Sequence, residues 1–126
     1  MITIPKKVEY SVAFIGYLSK NREKVISLKE TAKSLFLPYR FLGQLATDLK
    51  KAGIIESREG KSGGYCLEPG WQNKNLFDLL EAIGENKKMV ECGECSRSGE
   101  CKMMKVWAKL ELGMVKELKK IKLSNL

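Results

Sequence analysis

The residues with the clearest chemical potential are three cysteines that lie close together in the chain. Cys92, Cys95 and Cys101 have the spacing Cys-x2-Cys-x5-Cys, whereas the fourth cysteine, Cys66, stands apart. Thiolates are soft ligands that suit zinc, copper(I) and iron–sulfur clusters. A secreted disulfide scaffold would instead spread its cysteines along the chain. The clustering therefore favours a metal or cluster site, with thiol–disulfide redox chemistry and unrelated thiols as the alternatives.

The absence of histidine limits both the catalysis and the metal ligands open to this chain. Ser-His-Asp and Cys-His catalysis are excluded. No nucleophile–base pair or cofactor loop is evident either, so we do not expect an enzyme. Three thiolates leave a tetrahedral zinc site one ligand short. The candidates for that ligand are the distant Cys66 and the neighbouring Glu91, Glu94 and Glu100. Cys66, however, lies between the apolar Tyr65 and Leu67, so we expect it to be a core residue.

Charge points to a polyanionic partner. The chain has 126 residues, with 23 Lys and Arg against 15 Asp and Glu, which gives a net charge of +8. A basic chain of this length is typical of a single domain. Nucleic acid is the first class of partner to consider for such a domain, and an anionic membrane surface is the second. No apolar stretch approaches the ~20 residues that a membrane span needs. We therefore expect a cytoplasmic protein with no membrane partner.

Three helices are predicted in the first half of the chain. Apolar residues recur at helical spacing over residues 6–20, which predicts a first helix with a wide apolar face. Ser27 and Glu30 have the spacing of a capping box at the start of a second helix. Pro38 ends that helix and opens a third, which Gly53 ends. The apolar residues predicted to face inward from the third helix are Phe41, Leu45 and Leu49.

The second half begins with a hairpin and ends with a long helix. Two short strands, Ile54-Ile55 and Tyr65-Cys66-Leu67, flank a connection with three glycines, which indicates a hairpin. Asn75 is placed to cap a fourth helix that ends near Gly84. A last helix starts at about Lys102. Its apolar residues, at steps of three and four, are Trp107, Leu110, Met114, Leu118 and Ile121.

The order of three helices and a hairpin is the layout of a winged helix-turn-helix, so the predicted fold class is mainly α with a small β-hairpin wing. The third helix would enter the major groove of double-stranded DNA, with the hairpin beside the backbone or minor groove. A helical domain with an ordinary solvated basic face is the alternative. The residues placed to reach DNA are Tyr39, Arg40 and Gln44 from the third helix and Arg58, Lys61 and Ser62 from the hairpin.

The last helix is predicted to form a homodimer. About 20 helical residues extend roughly 30 Å, which a domain this small can hardly cover. An antiparallel pair of these helices is favoured over one packed back on its own domain. The chain then divides into a DNA-binding domain over residues 1–85, a cysteine loop over 86–101 and a dimerisation helix over 102–126.

Several motifs together carry a resemblance to a known family. They are Val8-Glu9-Tyr10, the run Leu49-Lys50-Lys51-Ala52-Gly53-Ile54-Ile55, and Ser57-Arg58-x-Gly60-x-x-Gly63-Gly64-Tyr65-x-Leu67, followed by the three-cysteine segment. Over nearly the whole chain, this set resembles the Rrf family of bacterial winged-helix transcriptional regulators, whose members include IscR- and NsrR-like iron–sulfur regulators.

The resemblance implies a cluster-controlled regulator. It implies a homodimer on palindromic promoter operators, with contacts from Tyr39, Arg40, Gln44 and Arg58. It also implies an iron–sulfur cluster, 2Fe-2S in preference to 4Fe-4S, that can be absent from purified protein. Its ligands would be Cys92, Cys95 and Cys101, with Glu9 of the partner subunit as the fourth. Glu9 is equally explained as a structural residue of the family.

Two positions depart from the family pattern. Met104 stands where iron–sulfur assembly regulators often have histidine, and Gly43 replaces a glutamate that some relatives use for base discrimination. The operator sequence is therefore not transferable. The leading hypothesis is a transcriptional regulator whose promoter binding is controlled by an iron–sulfur cluster. The alternatives are a thiol-redox or zinc-sensing regulator of the same fold and, from another class, a helical adaptor that binds a protein through its basic last helix.

Overall fold

The computed structural model describes residues 3–86, 88–97 and 99–126. Within these ranges the elements are α1 (Lys6–Lys20), α2 (Leu28–Leu35), α3 (Tyr39–Lys51), β1 (Ile55–Arg58), β2 (Gly64–Leu67), α4 (Leu76–Ala82) and α5 (Met103–Lys120), with three short 3-10 turns. The predicted class, mainly α with a β-hairpin wing, is confirmed. No helix in the described ranges is both long and apolar enough to span a membrane.

One face of α3 lies in the hydrophobic core. Leu42, Leu45, Ala46 and Leu49 are each at most 1% exposed, and they pack with buried residues of α1 and the start of the hairpin. This i, i+3, i+4, i+7 set is the stripe that a 3.6-residue period brings to one side of a helix. The predicted inward position of Phe41 is wrong, because Phe41 is one residue off the stripe and 39% exposed.

The helix ends largely follow the predicted capping. Ser27 Oγ accepts a hydrogen bond from Glu30 N at 3.1 Å, which is one half of the predicted box. The complete reciprocal box is formed at the start of α4 by Asn75 and Asp78. Gly53 has φ +72°, and Ile54 N donates to Leu49 O. This left-handed glycine ends α3 as predicted.

The hairpin is tied to the helical body by a contact that the sequence did not indicate. β1 and β2 are antiparallel, with Ile55 opposite Leu67 and Arg58 opposite Gly64. Tyr65 also pairs with Ile26, through Tyr65 N to Ile26 O at 2.8 Å and Ile26 N to Tyr65 O at 3.0 Å. The base of the wing is therefore fixed against the chain that enters α2.

The C-terminal residues return to the domain that precedes α5. The helix ends at Lys120, so the segment predicted as a helix over 102–126 is helical only over 103–120. Leu76 N donates to Ile121 O at 2.8 Å, and Leu123 N donates to Lys74 O at 2.9 Å. The side chain of Leu123 is fully buried in the core. Its burial and these two hydrogen bonds explain why the chain leaves the helix there.

We predict that Gly64→Ala destabilises the fold. A Cβ at this position would clash with the carbonyl of Ile26 and lie 2.7 Å from Ser27 N, where backbone leaves no room. The free energy of unfolding should fall by about 2 kcal/mol or more in urea titrations. The matched control is Gly43→Ala in α3, where a Cβ meets nothing within 4 Å. This substitution should raise stability by about 0.5–1 kcal/mol, and an equal effect of both changes would contradict the geometry.

We predict that Leu123→Ala also weakens the DNA-binding domain, although the residue follows the last long helix. Removing a fully buried leucine side chain costs about 2–5 kcal/mol of unfolding free energy. Leu112→Ala in α5 is the control, because Leu112 is 72% exposed and should change stability by less than about 0.5 kcal/mol. If thermal unfolding showed both variants to be as stable as the original chain, the return of the C-terminal residues to the core would be wrong.

Candidate nucleic-acid interface and cysteine segment

The start of α3 presents the predicted base-reading residues. Tyr39, Arg40 and Gln44 are all exposed, with Tyr39 at 53%. They lie off the buried stripe, because burial of that stripe turns the other side of the helix outward. Gln44 Nε2 donates to Asp48 Oδ1 at 3.2 Å, one turn further along α3. All three predicted residues are therefore accessible, and Arg40 and Gln44 border the same cleft.

The wing carries the other predicted DNA contacts. Arg58 is the last residue of β1, and Lys61 and Ser62 are exposed in the turn that follows. Arg58 Nη2 is 2.9 Å from Glu56 Oε1, and its side chain is 63% exposed. Hydrogen bonds from Arg58 and then Cys66 lower the pKa of the Glu56 carboxyl. In the free chain, the arginine is thus partnered along the strand.

Cys66 belongs to the wing and not to the core, which corrects the prediction of a core residue. It is half-buried in β2, opposite Glu56 in the register, and its Sγ donates to Glu56 Oε1 at 3.3 Å. Burial, followed by the hydrogen bond with Glu56, raises the pKa of this thiol. Its recorded side-chain partner is in the hairpin, so it is a poor candidate for the missing metal ligand.

The three clustered cysteines lie between α4 and α5. Cys92 begins a short 3-10 turn, Cys95 N donates to Cys92 O at 3.3 Å, and Cys101 lies two residues before the start of α5. All three are free thiols, with Cys95 exposed and the other two half-buried. Positions 87 and 98 of the predicted loop lie outside the described residues. Among the described ones, no three Cys, Asp or Glu side chains converge on a possible metal position.

The first part of the cysteine segment lies along α5. A cleft of about 470 Å³ separates them, lined by Val90 and Cys92 on one side and by Met104, Trp107 and Leu112 on the other. The thiol of Cys92 therefore borders a mainly apolar cleft against the long helix. A change in the position of this segment would therefore change its packing against α5.

Glu9 is in the first turn of α1, where Lys6 Nζ lies 2.9 Å from its Oε2. The glutamate side chain is 48% exposed. It is thus accessible to another molecule, and its role as a ligand from the partner subunit stays a prediction.

The long helix α5 has an unpartnered apolar face. None of its 18 residues is buried in the single chain. Lys119 Nζ lies 5.1 Å from the ring centre of Phe77, which links α5 to α4. The large apolar side chains of α5 that are at least 40% exposed are Met103, Met104, Val106, Leu110, Leu112 and Met114. Of these, Val106, Leu110 and Met114 line a groove on the unpartnered face, whereas Met104 and Leu112 border the cleft against the cysteine segment.

Comparison with known proteins places this arrangement in context. A profile of the Rrf2 family, described as an iron-dependent transcriptional regulator, matches residues 4–126. Protein rrf2 of Nitratidesulfovibrio vulgaris is 30% identical over 108 residues, which cover 82% of this chain and 72% of that protein. The regulator IscR of Cereibacter sphaeroides is 26% identical over 85 residues, covering 68% of this chain and 55% of the relative. For a transcriptional regulator of Aquifex aeolicus, the chain spans 59% of the relative's length.

Solved structures share the fold. IscR of T. potens superposes with a TM-score of 0.80 at 25% identity, covering 98% of this chain and 85% of that one. The oxidized form of CymR from Staphylococcus aureus superposes with a TM-score of 0.79 at 25% identity, covering 98% of this chain and 94% of the other.

We predict that Cys66 reacts more slowly with alkylating reagents in the folded chain than in the unfolded chain. Because its pKa is raised, less thiolate is present at a given pH, and its alkylation profile should shift to higher pH. Iodoacetamide labelling with peptide mass spectrometry, with and without denaturant, measures this. Glu56→Gln should move the folded profile back toward lower pH, since it removes the carboxylate. Identical profiles in the folded and unfolded chains would contradict the prediction.

Proposed function

The chain belongs to the Rrf2 family of winged-helix, DNA-binding transcriptional regulators and is not an enzyme, and from this premise we propose that an iron–sulfur cluster held by Cys92, Cys95 and Cys101 controls its binding to promoter DNA. The observation that carries the proposal is the set of three free thiols in one segment between α4 and the long helix α5. As a DNA-binding regulator, it would act in the cytoplasm.

The donor set fits such a cluster in its chemistry. Thiolates are the usual ligands of iron–sulfur clusters, and the segment contains two glycines, Gly93 and Gly99. One of them, Gly99, has φ +98°, which favours glycine. Because the three thiols do not yet converge among the described residues, we propose that the segment closes when the cluster binds. A 2Fe-2S cluster is proposed over 4Fe-4S, with Glu9 of the partner subunit as the fourth ligand.

The position of the segment suggests how cluster binding would affect the DNA-binding surface. Cys92, Cys95 and Cys101 would all hold the same cluster, so the segment that contains them would be restricted. Cys92 borders the cleft against Trp107 of α5. The helix α5 packs on α4, and α4 packs on α3, whose exposed face carries Arg40. Restricting the segment would thus bias the placement of α5 and change the population of chains competent to bind DNA.

A homodimer completes the proposed DNA-binding unit. The apolar face of α5 has no cover in the single chain, and its groove is lined by Val106, Leu110, Met114 and Leu118. A second copy of the helix would bury this face around a two-fold axis. Two α3 helices would then face two half-sites, so the proposed target is a palindromic operator in double-stranded DNA.

A second candidate function keeps the same DNA surface but uses the cysteines as a thiol-redox or zinc sensor. The exposed thiol of Cys95 favours it, because an accessible thiol near two others can be oxidised or bind zinc. The similar CymR structure is described as an oxidized form. Under this alternative, peroxide or zinc would change the operator affinity without iron or sulfide in the protein.

We predict that protein purified without oxygen contains iron and sulfide and has a visible absorption band. Cys92→Ser, Cys95→Ser and Cys101→Ser should each abolish the band, whereas Cys66→Ser, the matched control in the wing, should retain it. Operator affinity, measured by fluorescence anisotropy on a duplex selected from a random library, should differ between the cluster-containing and cluster-free forms. The probe is selected with each form, so that neither form is favoured.

The outcomes separate the two candidates. Colourless protein that binds stoichiometric zinc, or whose operator affinity responds only to peroxide, supports the alternative and contradicts cluster control. Loss of the band in Cys66→Ser as well would show that the assignment of ligands is wrong. Glu9→Gln should shorten the lifetime of the cluster in air, and an unchanged lifetime and spectrum would remove Glu9 as a ligand.

A further inference from the structure

We propose that Lys6 and Lys7, at the start of α1, form a binding site for DNA phosphate together with Arg40 of α3. The sequence motifs gave neither lysine a role. The inference rests on the DNA-binding part of the function proposed above and extends it, because it adds a contact to the sugar–phosphate backbone beside the recognition helix α3.

The site is a cleft between two helices. The first turns of α1 and α3 border one open cleft of about 690 Å³, and the residues that line it include Lys6, Lys7, Tyr10, Arg40, Phe41 and Gln44. Three of its lining side chains are cationic. None of its lining residues, all of which lie in the described ranges, is acidic. The predicted base-reading residues Arg40 and Gln44 therefore share a surface with two further cations.

Packing fixes the start of α1 relative to the recognition helix. Asp48 is the link, because its Oδ1 accepts from Gln44 Nε2 at 3.2 Å and its Oδ2 is 4.0 Å from Lys7 Nζ. The rings of Tyr10 and Phe41 meet edge to face, with centroids 5.4 Å apart. When α3 occupies the major groove, α1 must follow it as part of the same packed unit. The two lysines are then carried to the edge of that groove.

The chemistry of lysine suits phosphate better than a base edge. An ammonium group is a compact point charge that binds a phosphate oxygen without distinguishing the sequence. The Lys6 side chain is 74% exposed and pairs with Glu9. An exposed ion pair of this kind contributes little to stability, so a phosphate can replace Glu9 as the partner of Lys6. Arg58 and Lys61 lie on the hairpin that follows the end of α3, whereas this cleft adds cations at its start. The inferred contacts therefore lengthen the footprint on the DNA backbone.

The test compares two double variants that remove the same charge. Lys6→Gln with Lys7→Gln empties the cleft of its lysines, while Lys20→Gln with Lys24→Gln removes two exposed lysines near the other end of α1. Both are titrated with a 30-base-pair duplex of mixed sequence and with a duplex selected by the original chain, at several salt concentrations. Thermal unfolding confirms that both variants fold.

We expect the cleft variant to lose about tenfold in affinity for both duplexes. The slope of log affinity against log salt should fall by about 1.8, since each lost phosphate contact contributes about 0.9. The control variant should stay within about twofold of the original chain, with an unchanged slope. Lys6→Arg with Lys7→Arg should keep the affinity of the original chain, because it keeps both positive charges.

Contrary results are distinguishable from failure of the proposed function. If the cleft variant kept the original affinity and slope, or lost no more than the control, the phosphate site would be wrong. A loss confined to the selected duplex would also overturn it, because a phosphate contact is independent of sequence. If the original chain bound neither duplex, DNA binding itself would fail. If only cluster control failed, the cluster-containing and cluster-free forms would bind alike while the lysine variant still lost affinity.

Discussion

The burial of one face of α3 is the constraint on which the DNA-facing surface depends. Leu42, Leu45 and Leu49 are almost fully inaccessible, and burying such side chains contributes about 1.5–3 kcal/mol each. Because a helix is rigid over this length, anchoring its inner side determines the direction of its outer side. Arg40 and Gln44 point outward as a consequence of that packing. The wing and the start of α1 are positioned by contacts with the same core.

The cysteine segment and α5 differ physically from this anchored body. Among the residues that the structure describes, every large apolar side chain that is fully buried belongs to this body, which Leu123 joins from beyond α5. In contrast, α5 buries none of its residues in the single chain, and the cysteine segment carries an exposed thiol. Segments with few buried contacts have low local stability and can change arrangement at little cost. The proposed function requires such a combination: a cysteine segment that can change its arrangement, attached to a rigid body that carries the DNA-binding surface.

The sequence predicted most of the local structure and less of the packing. The starts of the helices, the cap at Ser27 and the left-handed Gly53 were correct, since each depends on a few neighbouring residues. The end of the last helix was wrong, because it is set by the burial of Leu123 in the core. Phe41 was assigned to the wrong side of α3, because the adjacent apolar pairs Phe41-Leu42 and Leu45-Ala46 allow more than one stripe, and only the facing helices select among them. Cys66 was expected in the core, yet its thiol meets Glu56 across the hairpin. Apolar sequence neighbours do not reveal which face of a strand a side chain occupies.

The sequence by itself determined the set of elements, the basic surface residues at the start of α3 and on the wing, and the three clustered thiols with no histidine to assist them. These features follow from periodicity, capping and composition, which are local or additive properties of the chain. Only the tertiary structure decided that Tyr65 pairs with Ile26, that Leu123 returns to the core and that Lys7 lies beside Asp48. Each of these joins residues far apart in the chain, and such proximity is selected by the packing of the whole core rather than by any local pattern.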